Sequence, residues 1–485
     1  MSSTLSTQVS GEAGAPGVTS AGGARLSTVD PSSPARAVHE FTATTAEESR
    51  AAVMSAAAAA ERWAALPAGK RAAVLGAVGD ELANRSADIA LMITREEGKT
   101  LTAATGEVGK TVEQFRFGAQ LAYQVEGTTY PTETARTFAY TLRSPLGVVV
   151  AITPWNFPVS LAARKIAPAL AAGNAVVFKP SPVVAGSGQL FVDACHAAGV
   201  PEEVLALIQG DDPEAMRELV GAPEVAAVSF TGSDGVGALL RGTTNPRARL
   251  QFELGGHNAA VVCADADLQA AAAKVASGAF ELTGQACTAT DRVLVEDAVY
   301  DEFVGLLSRA VHGMRVGPGV ESGTTTGPVA TKAQHTRLTE LLESATAAGT
   351  VLAQADLPSG LDRDGYWVPP TLFADLPADH PVNTREVFGP LLSVVRVSSV
   401  AEATDLVNAS AHGLVTAIHT RNLSAAHEFA QRATCGIVKV NDRTTGNGVA
   451  PPFGGWKASS SGAFPEGGTS ALDFVTDTKT VYLNY

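Results

Sequence analysis

Apolar and polar positions along this chain follow two periods, and the changes of period divide it. From 46 to 81 and on to 97 the pattern is alanine-rich and helical, and residues 51–63 are the strongest helix formers in it. Over 128–143, Thr and aromatic residues alternate with others, which predicts extended strands. A regular succession follows: strand 146–152 (LGVVVAI), helix 159–170, strand 174–179 (NAVVFK), helix 185–198, strand 204–209, helix 213–220 and strand 225–230 (VAAVSF). Another helix opens at Ser233 or Asp234. Strands that recur every 20 to 30 residues with helices between them indicate βαβ units on a parallel sheet. A second α/β region covers 253–435, with strands near 259–262, 292–295 and 392–395. Residues 472–485 (LDFVTDTKTVYLNY) read as a strand with no local partner, one that pairs elsewhere or across a subunit interface. Residues 1–28 are Ser, Thr, Gly and Ala with little to bury, and a disordered tail is expected there.

A chain of 485 residues has room for about three domains. Its 49 Asp and Glu against 35 Lys and Arg give a formal charge of -14, which argues against a nucleic-acid partner. The four cysteines, Cys195, Cys263, Cys287 and Cys435, form no CxxC pair. Neither a disulfide framework nor a metal site is expected, and free thiols fit a cytoplasmic location. No apolar N-terminal segment suggests a signal peptide, and no apolar run reaches the roughly 20 residues that span a bilayer.

Three residues carry candidate chemistry, each with a plainer alternative. Cys287, in Gly284-Gln285-Ala286-Cys287-Thr288, follows a helical stretch ending near Phe280 and reads as a nucleophile or as a buried structural thiol. Glu253, in Phe252-Glu253-Leu254-Gly255-Gly256, reads as a general base or as a solvated strand-end carboxylate. Asn156, between Pro154 and Pro158 at the end of a strand, reads as an oxyanion donor or as a turn or cap residue. Gly232-Ser233, at a strand end and a helix start, offers backbone N–H groups and a helix dipole to a phosphate. The string Gly232 to Gly237 lacks the spacing of the ordinary dinucleotide fingerprint.

The combination changes those odds. PWNFP at 154–158, FTGS at 230–233, ELGG at 253–256, GQxC at 284–287, ExFGP at 386–390 and PFGG at 452–455 resemble, in order and spacing, the aldehyde dehydrogenase superfamily. The resemblance covers the chain from about Val29 to Tyr485. It implies an α/β fold with a Rossmann-like cofactor domain (29–125 and 143–252) and an α/β catalytic domain (253–455). It further implies β oligomerisation arms (126–142 and 471–485), a return segment (456–470) and a homodimer or homotetramer. Residue by residue, Cys287 matches the family nucleophile, Glu253 the general base and Asn156 the oxyanion donor. Lys179 matches the lysine on the adenosine ribose, Ser233 the pyrophosphate contact and Glu386 the ligand of the nicotinamide ribose, with Phe388 packed beside it. Trp155, Ser181, Pro182 and Gly232 fall at further cofactor-pocket positions. Phe157, Arg164, Glu281, Thr288 and Arg443 are the substrate-side candidates. The implied activity is oxidation of a small aldehyde to an acid with NAD or NADP through a Cys287 thiohemiacetal and thioester, which water activated by Glu253 hydrolyses.

Two departures matter. Many NAD-preferring members carry a Glu at the position of Pro182, and Pro182 can neither bind the ribose hydroxyls nor repel a 2′-phosphate. Succinate-semialdehyde members carry an Arg where this chain has Glu281, although the Arg matching Arg164 is kept. The tract 284–290 and the tails 458–462 and 478–482 look more like 2-oxoglutarate-semialdehyde dehydrogenases, with Arg164 and Arg443 as carboxylate binders. Other readings are an enzyme for aromatic or aliphatic aldehydes in a specialised biosynthetic pathway, a coenzyme A-acylating enzyme, which Glu253 disfavours, and a non-catalytic protein on the same fold. The Pro182 departure makes NADP⁺ an acceptable and potentially favoured cofactor. Measurement of kcat/KM with both cofactors checks this, and a preference for NAD⁺ of about a hundredfold, ~2.7 kcal/mol, overturns it.

Overall fold

The structure is a computed structural model that describes residues 21–485. The expected tail lies outside the described residues up to position 20. Beyond that point Arg25–Asp30 pairs antiparallel with Ser33–Thr42, so the last residues assigned to the tail belong to a hairpin.

The single helical pattern of 46–97 is three helices, and the reasons are local. Ala46–Ala64 opens on a capping box in which Thr45 and Glu48 satisfy each other's backbone N–H groups. Pro67 ends that run and precedes Ala68–Asn84. Ser86–Glu97 stops at Gly98, whose φ of 95° closes the helix in the left-handed region. A fourth helix, Leu101–Leu121, completes the layer. These helices pack against a five-stranded parallel sheet ordered Leu205–Leu207, Ala175–Lys179, Val148–Ile152, Val225–Thr231, Arg249–Glu253. The strands Val148–Ile152 and Ala175–Lys179 are buried at every position, which explains their unbroken apolar sequence. A chain of aromatic rings, Phe115, Phe191 and Phe178, with centroids 5.9 and 5.8 Å apart, fills the space between helices and sheet.

The second sheet has seven strands, ordered Thr350–Gln354, Thr371–Ala374, Leu391–Val397, Thr290–Glu296, Asn258–Val262, Val415–His419, Ile437–Val440. All pairings are parallel except that of the edge strand Thr350–Gln354. Only four residues, Leu254 to His257, separate the last strand of the first sheet from Asn258–Val262, an interior strand of the second.

The C-terminal segment is divided. Ala471–Val475 is a short helix because Ala471, Leu472, Phe474 and Val475 are all buried. The strand proper is Thr476–Asn484, and it finds its partner within the chain, antiparallel to Thr137–Pro145. The Arg249 guanidinium pins the junction, donating to the carbonyls of Asp473, Phe474 and Thr476 at 2.8 to 3.0 Å. Tyr130, Phe138, Leu142, Tyr482 and Leu483 of this three-stranded arm are exposed. Among the described residues, no helix is long and apolar enough to cross a membrane.

Phe178 is fully buried between the sheet and the helical layer. Phe178→Ala is expected to cost about 3–5 kcal/mol and to lower the urea midpoint followed by circular dichroism.

Candidate active site

The helix Leu268–Phe280 ends before the short helical turn Glu281–Gly284 that leads to Cys287. The tight turn that follows holds Leu282, Thr283 and Gly284 at φ of 57°, 55° and 68°, three successive left-handed residues of which only glycine is at ease. The turn is fixed from outside. Thr283 donates to the Gly327 carbonyl at 3.1 Å, and the Gln285 side chain accepts from the Ala330 N–H at 3.0 Å. Asn156 reaches this loop from the end of the strand Val148–Ile152, its Nδ2 donating to the Gln285 carbonyl at 2.8 Å. One amide N–H is committed there and a second remains for the cleft, while its Oδ1 is buried without a partner among the described residues. Cys287 is half-buried, and its carbonyl accepts from Asn258 at 2.8 Å. Burial and the Glu386 carboxylate push its thiol up to about 12, with Arg164 opposing them.

Glu253 lies buried at the end of Arg249–Glu253. One carboxylate oxygen accepts from Ser460 at 3.1 Å, and the other has no partner among the described residues. Burial first, then the Glu466 carboxylate, raises it well above the usual carboxylate range against the pull of Lys165. Lys165 forms a buried ion pair with Glu466 and donates to Ser229 at 3.1 Å, and Ser229 donates to Gln251 at 2.7 Å. The sequence reading missed Lys165 and Glu466. The lysine left a signal: with Arg164 beside it, it is one of two charges in the alanine-rich helix Ser160–Ala172, and unlike Arg164 it is fully buried. Glu466, in a Gly- and Pro-rich loop, left none.

The glycines after Glu253 explain the meeting of the two sheets. A Cβ on Gly255 would lie 2.5 Å from a Glu386 oxygen, and one on Gly256 would lie 2.5 Å from the Cys287 carbonyl. The Gly256 N–H donates to Glu386 at 3.0 Å. Burial and the nearby Asp291 push Glu386 up to about 8. Phe388, at φ of 48°, sets its ring edge-on to Trp155 with centroids 5.4 Å apart.

Gly232 follows the strand Val225–Thr231, where a Cβ would stand 2.4 Å from the Phe230 ring, and Ser233 caps the helix Asp234–Thr243. Lys179 ends the neighbouring strand Ala175–Lys179, buried, with Nζ 3.4 Å from the Pro180 carbonyl. Burial pushes it down to about 8 against the pull of Asp211. Ser181 spends its hydroxyl on the Val183 N–H at 3.4 Å, and Pro182 opens the short helical turn Pro182–Val184.

The family model described as the aldehyde dehydrogenase family matches residues 18–481. The chain belongs to the aldehyde dehydrogenase family. An α-ketoglutarate semialdehyde dehydrogenase of Haloferax volcanii is 37% identical over 471 residues, covering 96% of this chain and 97% of the relative. A 2,5-dioxopentanoate dehydrogenase of Saccharolobus solfataricus is 38% identical, covering 90% and 92%. The solved succinate-semialdehyde dehydrogenase of Burkholderia pseudomallei superimposes with a TM-score of 0.90 at 32% identity, covering 95% of each chain. The fold is that of an aldehyde dehydrogenase, and the protein is an NAD(P)-dependent aldehyde dehydrogenase.

On the substrate side this aldehyde dehydrogenase treats its two candidate clamps differently. Arg164 stacks on the Phe453 ring, 4.3 Å from its centroid, and its charge acts on both Cys287 and Glu253. Arg443 is instead engaged with Glu281 at 2.5 Å and with Ser277 at 3.0 Å. The acidic residue that displaces one expected cation also occupies the other. Phe157 lies beneath the Lys99 ammonium, 4.5 Å from its ring centroid, and Thr288 is buried.

Gly256→Ala puts a methyl against the Cys287 carbonyl, and the loop must move by several tenths of an ångström. Activity measured by NAD(P)H absorbance is expected to fall by about 10²-fold, the cost of moving the Cys287 loop out of place.

Proposed function

We propose that this enzyme oxidises a small semialdehyde bearing one carboxylate, 2-oxoglutarate semialdehyde being the favoured substrate, with Cys287 as nucleophile. The observation that carries the reading is the pairing of Asn156 Nδ2 with the Gln285 carbonyl, which aims a spare N–H beside the Cys287 loop. Arg164 supports the substrate class, since it is the guanidinium near Cys287 that no acidic side chain engages among the described residues. The relatives named for α-ketoglutarate semialdehyde and 2,5-dioxopentanoate point the same way.

The residues fit an NAD(P) cofactor. Gly232 leaves a cradle that a Cβ would fill, Ser233 heads a helix, Lys179 is a buried cation at the end of the neighbouring strand, and Glu386 accepts from the Gly256 N–H. Lys179, Ser233 and Glu386 would hold the adenosine ribose, pyrophosphate and nicotinamide ribose, with Trp155, Ser181, Pro182, Gly232 and Phe388 around them. When bound, the cofactor supplies the hydride acceptor.

Cys287 adds as thiolate to the aldehyde carbon. The oxygen becomes an oxyanion, and Asn156 Nδ2 with the Cys287 backbone N–H stabilises it, an interaction worth about 10²–10³ in rate per donor. Oxidation leaves a thioester on Cys287. Glu253, made a stronger base by burial and by Glu466, takes a proton as carboxylate from the water that cleaves the thioester. Its presence favours hydrolysis over transfer to coenzyme A. The arm strands Thr137–Pro145 and Thr476–Asn484, with Tyr482 and Leu483 exposed, serve as a subunit contact in a homodimer or homotetramer in the cytoplasm.

Cys287→Ala is expected to abolish NAD(P)H formation, and a rate equal to wild type overturns the mechanism. Glu253→Gln keeps a single burst of NAD(P)H but lowers turnover by about 10²–10⁴-fold. Arg164→Ala raises KM for carboxylated semialdehydes by about 10- to 100-fold and leaves propanal unaffected. Faster wild-type oxidation of propanal or benzaldehyde than of the carboxylated panel rejects the substrate assignment. Lys179 carries its charge below about pH 8 and loses it above, so NADP⁺ affinity read by fluorescence should weaken as pH rises through that value. Lys179→Met should flatten the profile.

A further inference from the structure

A cluster of three buried ionisable groups stands behind the oxyanion donor, and the mechanism above does not use it. Lys99, with no exposed side-chain surface, pairs with Glu107 at 2.8 Å and lies 3.9 Å from Glu97. Its ammonium donates to the Asn156 carbonyl at 2.5 Å and sits over the Phe157 ring. Glu107 turns its other oxygen to the N–H groups of Val159 and Ser160, at 3.0 and 3.2 Å, where the helix after Asn156 begins. Glu97 accepts the Lys99 backbone N–H at 2.9 Å and the Gln285 side-chain amide at 3.5 Å. Gln285 is the residue whose carbonyl receives the Asn156 amide. The cluster therefore grips both sides of the contact between oxyanion donor and nucleophile loop.

The plainer reading is a buried ion pair that only ties the helical layer to the sheet. Taking such charges out of water is costly, and apolar side chains would hold the layers together at least as well. What apolar side chains cannot do is fix a backbone carbonyl, two helix-start N–H groups and a glutamine amide at set distances. The connection is also stiff: Gly98, at φ of 95°, is packed so closely that a Cβ would meet Pro31 and Pro328 at 2.9 Å.

We propose that Lys99 is a positioning residue of the oxyanion site, which acts through Asn156 and is held in place by Glu107 and Glu97. It touches no reacting atom. Its hydrogen bond to the Asn156 carbonyl sets the height of that backbone, and hence where the free amide N–H points. Glu97 holds Gln285, and so the opposite side of the same contact, in register. Burial works against the charge on Lys99, yet Glu107 and Glu97 keep it above its ordinary range, so it stays a donor throughout the working pH.

This inference rests on the assignment of Asn156 as oxyanion donor, and the test separates the two. Asn156→Ala, Lys99→Met and the double variant are compared by the pre-steady-state burst of NAD(P)H and by alkylation of Cys287 with iodoacetamide. Alkylation displaces iodide and forms no oxyanion, so the hole does not assist it. Lys99→Met is expected to slow the burst by about 10- to 100-fold and to leave alkylation within about threefold. In the Asn156→Ala background it should slow the burst no further, because its effect runs through Asn156. An unchanged burst in Lys99→Met, an equal further loss in the Asn156→Ala background, or a parallel loss of alkylation overturns the inference and leaves the Asn156 assignment standing. An unchanged burst in Asn156→Ala alone overturns that assignment and this inference with it. If Lys99→Met does not fold, Lys99→Met/Glu107→Gln removes both charges together and carries the same comparison.

Discussion

Everything at the centre of this enzyme depends on how closely two parallel sheets approach at Glu253 to His257. The last strand of one sheet and an interior strand of the other are joined by four residues, and within them Gly255 and Gly256 carry no Cβ because Glu386 and the Cys287 carbonyl occupy that space. The close approach sets the carboxyl ends of the first sheet's strands, where open parallel sheets gather ligand groups, against the amino ends of the second sheet's strands. Glu253 comes from one sheet, Cys287 from a loop entering the other, and Glu386 from the loop before the strand Leu391–Val397. Larger residues at 255 or 256 would part the sheets and separate these groups.

Desolvation follows from that close approach. Burial raises Glu253, Glu386 and the Cys287 thiol together, so the resting site favours protonated groups. The buried countercharges are few and specific. Lys165 pairs with Glu466 near Glu253, and Lys99 pairs with Glu107 behind Asn156. One pair acts on Glu253, whose second oxygen has no partner among the described residues, and the other touches the backbone of Asn156, whose Nδ2 donates to the Gln285 carbonyl. Costly buried ion pairs occur where a polar side chain has to be held without being satisfied.

The same logic separates the two substrate-side arginines. Arg164 rests on an aromatic face, which leaves its guanidinium edge available, whereas Arg443 is neutralised by Glu281. Among the described residues, Arg164 is the guanidinium near the Cys287 thiol that no acidic side chain engages, which suits an aldehyde that bears a carboxylate.

The amino-acid sequence by itself determined the alternation of strands and helices, because fully buried strands such as Val148–Ile152 must be apolar at every position. It also determined the six ordered motifs that carry Cys287, Glu253 and Asn156, since tight turns and reactive groups demand particular residue types at fixed spacing. It did not show where the long helical run breaks into separate helices at Pro67 and Arg85, nor that the C-terminal strand pairs with Thr137–Pro145. Nor did it show that Glu281 takes Arg443 for itself, or that Lys165 and Lys99 reach partners 301 and 57 positions away in the chain. Local preferences and spacing act over a few residues and are written along the chain. Which buried charge meets which is decided by packing between distant segments, where desolvation leaves each polar group to the partner that the fold brings within reach.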